Sequence, residues 1–108
     1  MIKLISSDLD GTILKNGAQE LPAGFCDIVK RLKEKGIQFA AASGRQYYNL
    51  RLLFDPVKDD IHYIAENGSL CVCHNQVLYQ GLIERDLGFR IFKAVRERGG
   101  CHGLLYCE

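Results

Sequence analysis

The sequence predicts an α/β fold, with a parallel sheet of three strands covered by helices and a change of architecture after residue 68. Three observations carry that expectation. Short apolar runs (MIKLISSDL, IQFAAAS, IHYIA) alternate with helical patterns, the β-α-β-α-β rhythm of a sheet buried on both faces. Each run ends in polar residues: Asp8 with Asp10, Ser43-Gly44-Arg45, and Glu66-Asn67-Gly68. After Gly68 the rhythm gives way to two short strands around a turn.

The first strand is expected over about residues 2–9, an apolar run ending in acid. In LPAGFCDIVKRLKEKG, Phe25, Ile28, Val29 and Leu32 recur at helical spacing. Pro22 suits the first turn of that helix and Gly36 its C-terminal cap. A second strand, IQFAAAS, leads into a short helix, QYYNLRLLF, which Asp55-Pro56 should close. IHYIA is the third strand. Beyond it, SLCVC and VLYQ flank His74-Asn75-Gln76 as a hairpin, IERDLGFRIFKAVRERGG reads as a helix with Leu87, Ile91, Phe92 and Val95 on one stripe, and GLLYC as a closing strand. The expected division is residues 1–68 and residues 69–108.

Composition narrows the function classes. The 108 residues are 47% hydrophobic and 25% charged with a net charge of +1, ordinary for a globular domain. Nothing there favours a nucleic-acid partner, and the basic segment KRLKEKG suits a solvated helix face. No run approaches the ~20 apolar residues of a membrane span, and Asp8 and Asp10 interrupt any signal-peptide core. The expected compartment is the cytoplasm. Five cysteines (Cys26, Cys71, Cys73, Cys101, Cys107) form no disulfide framework by count or spacing. CVCH and CHGLLYC hold potential zinc ligands, yet C-x-C within a strand reads as one strand face rather than a metal knuckle. Buried, reduced thiols are expected.

The strand ends carry the chemistry. In parallel α/β sheets, ligands sit beyond the carboxyl ends of the strands. If extended, Asp8 and Asp10 point to the same side about 6.6 Å apart. That is too far for a shared proton and suitable for holding a phosphoryl group, although the strand around them would bury charge at a cost. Gly11 allows a sharp turn that brings amides near an anion. Attack of a carboxylate on a phosphate monoester sets anion against anion, so Mg²⁺ is expected, held by Asp8 and Asp10. Ser43 and the Gly44 amide make a phosphate cradle, with Arg45 as a bidentate partner.

DLDGTIL, SGR and ENGS together resemble the haloacid dehalogenase-like hydrolases, in particular the Cof-type branch that dephosphorylates small phosphorylated metabolites. The resemblance implies a Rossmann-like core, with residues from 69 onward opening an α/β cap. It implies Asp8 as the nucleophile that forms an aspartyl-phosphate and Asp10 as general acid/base. Mg²⁺ would be held by the Asp8 carboxylate and the Asp10 carbonyl. Thr12 would brace the loop, Ser43 would bind the phosphoryl group, and Arg45 and Asn67 would face the substrate.

The family pattern also contains a later lysine and an acidic G-D-x-x-N-D loop, and neither occurs in these residues. The expectation is therefore the N-terminal part of a phosphatase, a partial core with an incomplete cap, inactive alone. The alternative is a non-catalytic remnant that binds a metal, a phosphate or a partner chain. In the family the first strand lies mid-sheet, which implies here an uncovered strand that self-associates or receives a missing C-terminal half. The substrate's identity is not legible.

Overall fold

The computed structural model describes residues 1–105. Along the chain run β1 (Leu4–Asp8), α1 (Phe25–Glu34), β2 (Gln38–Ala42), α2 (Tyr47–Leu53), β3 (His62–Ala65), β4 (Leu70–Cys73), β5 (Gln76–Gln80) and α3 (Arg85–Arg98). The five strands form one sheet in the order β1-β2-β3-β4-β5. The first three are parallel, and β4 and β5 join antiparallel.

The expected rhythm is therefore present, with a difference in how it ends. Parallel pairing gives way to antiparallel pairing across residues 66–69. The hairpin, however, extends the three-stranded sheet rather than standing apart from it, because β4 pairs directly with β3 through Tyr63↔Val72 and Ile64↔Cys71. His74 and Asn75 both adopt left-handed φ, 49° and 58°, the pair of values that a two-residue hairpin turn requires.

Helix α1 begins later than expected. Its N-cap is Gly24, and Pro22 stays outside, where its carbonyl accepts the Phe25 amide. Its end follows the expectation. Gly36 turns left-handed (φ 72°), its amide bonds to the Lys33 carbonyl, and the Ile37 amide reaches back to Leu32. That pair of bonds is the Schellman closure, and glycine is the residue that makes it without strain.

The core lies on the face of the sheet that α1 and α2 cover. Alternate strand residues point into it: Phe39 and Ala41 from β2, Tyr63 and Ala65 from β3, and Val72 from β4. Val29 arrives from α1, Leu50 from α2, and Phe54 and Val57 from the turn after α2. Phe25, Phe39 and Phe54 meet with ring centroids 5.7 to 6.2 Å apart. Each fully buried ring or aliphatic chain stabilises the fold by roughly 1.5–3 kcal/mol. Tyr63 completes this side, its hydroxyl donating to the Lys58 carbonyl at 2.7 Å.

One expectation fails in part at the C-terminal side. Residues 103–105 of the segment GLLYC are not strand, and the remaining two lie outside the described residues. Helix α3 forms, but none of its residues is buried. No helix among the described residues is long and apolar enough to cross a membrane. The described cysteines are unpaired; Cys26, Cys71 and Cys73 are half-buried and Cys101 is exposed, so the expected burial holds for none of them in full.

Candidate active site

Strand β1 ends at Asp8, and the next residue decides the local geometry. Leu9 is fully buried, and its carbonyl accepts the amides of Thr12, Ile13 and Leu14 at 2.8 to 3.1 Å. This knot of bonds ends the strand one residue earlier than the apolar run suggests. Gly11 answers with its amide on the Leu14 carbonyl and a φ of 86°, a value that favours glycine. Asp10 bridges to Leu14 through the backbone of Leu9 and Gly11 on either side of it. Its own carbonyl takes no part in that bridge.

With Leu9 in the core, Asp8 and Asp10 are both exposed. The expected cost of buried charge is absent here, because the strand turns its apolar side chain inward and its two acids outward. Asp8 accepts a hydrogen bond from the Thr12 hydroxyl at 3.0 Å. Asp10 is gripped by Arg45, whose Nε donates to Oδ2 at 2.9 Å and Nη2 to Oδ1 at 2.6 Å. These hydrogen bonds hold the Asp10 carboxyl below its ordinary pKa and raise that of Arg45, with burial working against both shifts.

Arg45 is therefore engaged with Asp10. It also donates to Asn49 Oδ1 at 3.3 Å. Asn49 was not singled out from the sequence: Arg45 lies before the extended N-cap Gln46, so helical spacing does not link the two.

The second and third strand ends are laced together. The Ser43 amide bonds to the Ile64 carbonyl, the Glu66 amide to the Arg45 carbonyl, and the Asn67 amide to the Ser43 carbonyl. Ser43, 9% exposed, accepts the Arg45 amide on its hydroxyl oxygen at 3.1 Å, which leaves the hydroxyl hydrogen available to an anion. Gly44 sits against Asn67: a Cβ there would lie 2.9 Å from Asn67 Oδ1. Close approach, more than flexibility, calls for glycine at this position. Glu66 and Asn67 both adopt left-handed φ, 53° and 56°. Asparagine tolerates that region and glutamate does so at a cost of about 1 kcal/mol or more; the three backbone bonds hold the loop there.

The structure thus gathers all of Asp8, Asp10, Gly11, Thr12, Ser43, Gly44, Arg45 and Asn67 at the carboxyl ends of β1, β2 and β3, where Asp8 pairs with Ala42 and Ala42 with Ile64. The adjoining cavity, about 250 Å³, is lined by Arg45 and Asn49 with Gln19, Glu20, Leu21, Leu52 and Leu53. It includes neither aspartate and is a neighbour of the site rather than the site itself.

The profile of the haloacid dehalogenase-like hydrolases matches residues 5–108. The chain belongs to that family. Its Cof-type branch fits the motifs at all three strand ends. The chain is 35% identical over 85 residues to the 5-amino-6-(5-phospho-D-ribitylamino)uracil phosphatase of Escherichia coli, a match covering 79% of this chain and 31% of that enzyme. A crystal structure from Streptococcus mutans superposes with a TM-score of 0.81 at 29% identity, covering 92% of this chain and 37% of the other. One from Eubacterium rectale gives 0.78 at 32% identity, covering 89% and 36%. The chain spans about a third of the length of these relatives. The five-stranded mixed sheet with its three helices corresponds to part of their Rossmann-like core.

Proposed function

We propose that this chain contributes the nucleophile half of a phosphatase site acting on small phosphorylated metabolites. The observation that carries this reading is the exposed pair Asp8 and Asp10 on either side of a fully buried Leu9, facing the Ser43 hydroxyl loop at the sheet's carboxyl edge. Thr12 holds one oxygen of Asp8, and the other attacks phosphorus. The ester P–O bond breaks as Asp10 passes a proton to the leaving oxygen. Asp10, then a carboxylate, takes a proton from the water that cleaves the aspartyl-phosphate, releasing phosphate and regenerating Asp8.

An Asp10 held at low pKa is a poor acid. In this reading Arg45 exchanges Asp10 for the phosphoryl oxygens when substrate arrives, which frees the carboxyl to be protonated and places two N–H donors on the anion. Ser43 donates from the opposite side. The Asp8 carboxylate and the unbridged Asp10 carbonyl are oxygen donors of the kind Mg²⁺ takes, with water completing the set; the ion would neutralise charge between the two anions. Among the described residues no third acid joins them. Residues 69–108 would open the cap, with the β4–β5 hairpin as its root, and the cytoplasm is the compartment.

Turnover is expected to be negligible for these residues alone, because loss of a single charge-stabilising group typically costs 10²–10³ in rate. Hydrolysis of an aryl phosphate, measured with and without a separately made C-terminal portion of a Cof-type relative, tests the reading. Activity should appear with the added portion and vanish in Asp8→Asn. Activity that survives Asp8→Asn would remove the nucleophile from the proposal.

Strand β1 has β2 on one side and no strand on the other among the described residues, with Ile2 and Leu4 exposed. An open edge of this kind is a template for pairing. We propose that it takes a further strand, from the C-terminal portion or from a second copy. Sedimentation at micromolar concentration should show association that Leu4→Lys weakens. A monomer in both proteins would mean that the edge stays unpaired.

A further inference from the structure

Two imidazoles and a thiol meet at the end of the sheet opposite the aspartates. His62 opens β3, Cys73 closes β4, and His74 begins the turn to β5. Tyr63 pairs with Val72 in antiparallel register, which makes His62 and Cys73 the next pair across the two strands. Neighbours in a continued strand point to opposite faces. The left-handed turn at His74 and Asn75 breaks that alternation and returns the His74 ring to the face that carries Cys73 and His62.

One ligand atom from each of the three residues lies within 4.8 Å of the others. Cys73 Sγ is 4.0 Å from His62 Nε2, and the two imidazole rings meet edge-on with centroids 4.7 Å apart. His62 is 9% exposed. Its Nε2 contacts Gln38 Oε1 at 2.9 Å, while its buried Nδ1 has no hydrogen-bond partner among the described residues. Nε2 is thus the ring nitrogen that lies beside the Cys73 thiol.

We propose that His62, Cys73 and His74 bind a divalent transition metal, Zn²⁺ by preference. A thiolate with two imidazoles is a donor set for zinc and not for Mg²⁺. Around a tetrahedral ion, Zn–S and Zn–N bonds place such donors roughly 3.3–3.6 Å apart. The observed spacing reaches that with a shift of about an ångström, and exposed His74 on its turn is free to supply it. A water or the Gln38 amide oxygen completes the shell. Binding replaces the Cys73 thiol proton, which passes to solvent. The ion would tie the hairpin turn to the start of β3, far from the phosphoryl chemistry at the other ends of the strands.

The 108-residue protein, reduced and metal-free, is titrated with Co²⁺ in the presence of excess Mg²⁺. One equivalent should give a thiolate-to-cobalt charge-transfer band and the strong visible absorption of a tetrahedral site, both bleached by one equivalent of Zn²⁺. Cys71→Ser should leave the spectrum intact and Cys73→Ser should abolish the charge-transfer band. His74→Asn, which tolerates the left-handed turn and lies at an exposed position, should weaken cobalt binding about tenfold or more. Absence of the band at one equivalent, or a band that survives both Cys73→Ser and His74→Asn, would overturn the proposal. Circular dichroism of the variants separates a lost ligand from a lost fold.

Discussion

Helices α1 and α3 carry the same kind of sequence pattern and come to opposite ends. In α1, Val29 is buried and Phe25, Cys26 and Leu32 pack against the core. In α3 the stripe of Leu87, Ile91, Phe92 and Val95 is equally regular, yet nothing is buried, and Leu87 and Ile91 remain 44% and 45% exposed. Periodicity states which side of a helix wants cover. Whether cover exists depends on residues elsewhere in the chain. For α1 these are the strands on either side of it; for α3 the described residues offer no comparable surface. Its local support is an Arg85–Phe89 cation–π contact and a Lys93–Glu97 pair on an exposed face, contacts worth only a few tenths of a kcal/mol each.

The largest expected effect sets the two regions side by side. Phe54 is fully buried between α1 and β2, whereas Phe89 on α3 is 61% exposed. Phe54→Ala should cost about 3–5 kcal/mol in urea unfolding, and Phe89→Ala should fall within about 0.5 kcal/mol of the parent. Equal costs would mean that α3 is covered in solution and that the contrast is wrong.

A smaller effect sharpens the same contrast from the core side. Burial pushes the Tyr63 hydroxyl well above the ordinary tyrosine range. A group whose pKa rises on folding adds stability that is fully present below its unfolded value, about 10, and is lost as pH climbs beyond it. Tyr63→Phe should cost about 1 kcal/mol at neutral pH through the lost bond to Lys58. Denaturation midpoints measured between pH 8 and 11 should then fall less steeply for the variant than for the parent. Parallel curves would show that Tyr63 does not titrate with unfolding.

The site was more legible than the packing. Asp8, Asp10, Ser43-Gly44-Arg45 and Asn67 were all readable because strand ends are marked by a switch from apolar to polar residues, and a parallel sheet brings those ends to one edge. Their partners were not readable. Periodicity places Arg45 at the start of α2 but does not say that its guanidinium reaches across to Asp10. The exposure of the two acids was missed because Leu9 between them made the whole run look buried. Cys73 was set aside as part of a strand face; the left-handed turn that folds His74 back beside it depends on two backbone angles that hydropathy does not encode.

The order of the sheet follows the order of the chain, and that bears on how the sheet assembles. Cys73 needs to find only Gln76, Tyr63 must find Val72, Ala40 must find His62, and Leu4 must find Gln38. Each pairing closes a longer loop than the one before it. A fourfold longer loop costs roughly 1.2 kcal/mol more to close, so the hairpin is the least expensive place to begin and β1 the most expensive to add. Pairing that spreads from β5 back towards β1 lays down the strand bearing Asp8 last. A sheet opens most readily at its edges, and β1, with only β2 to hold it, is one of the two edges here. The proposed nucleophile therefore stands on an edge strand, the last to join the sheet.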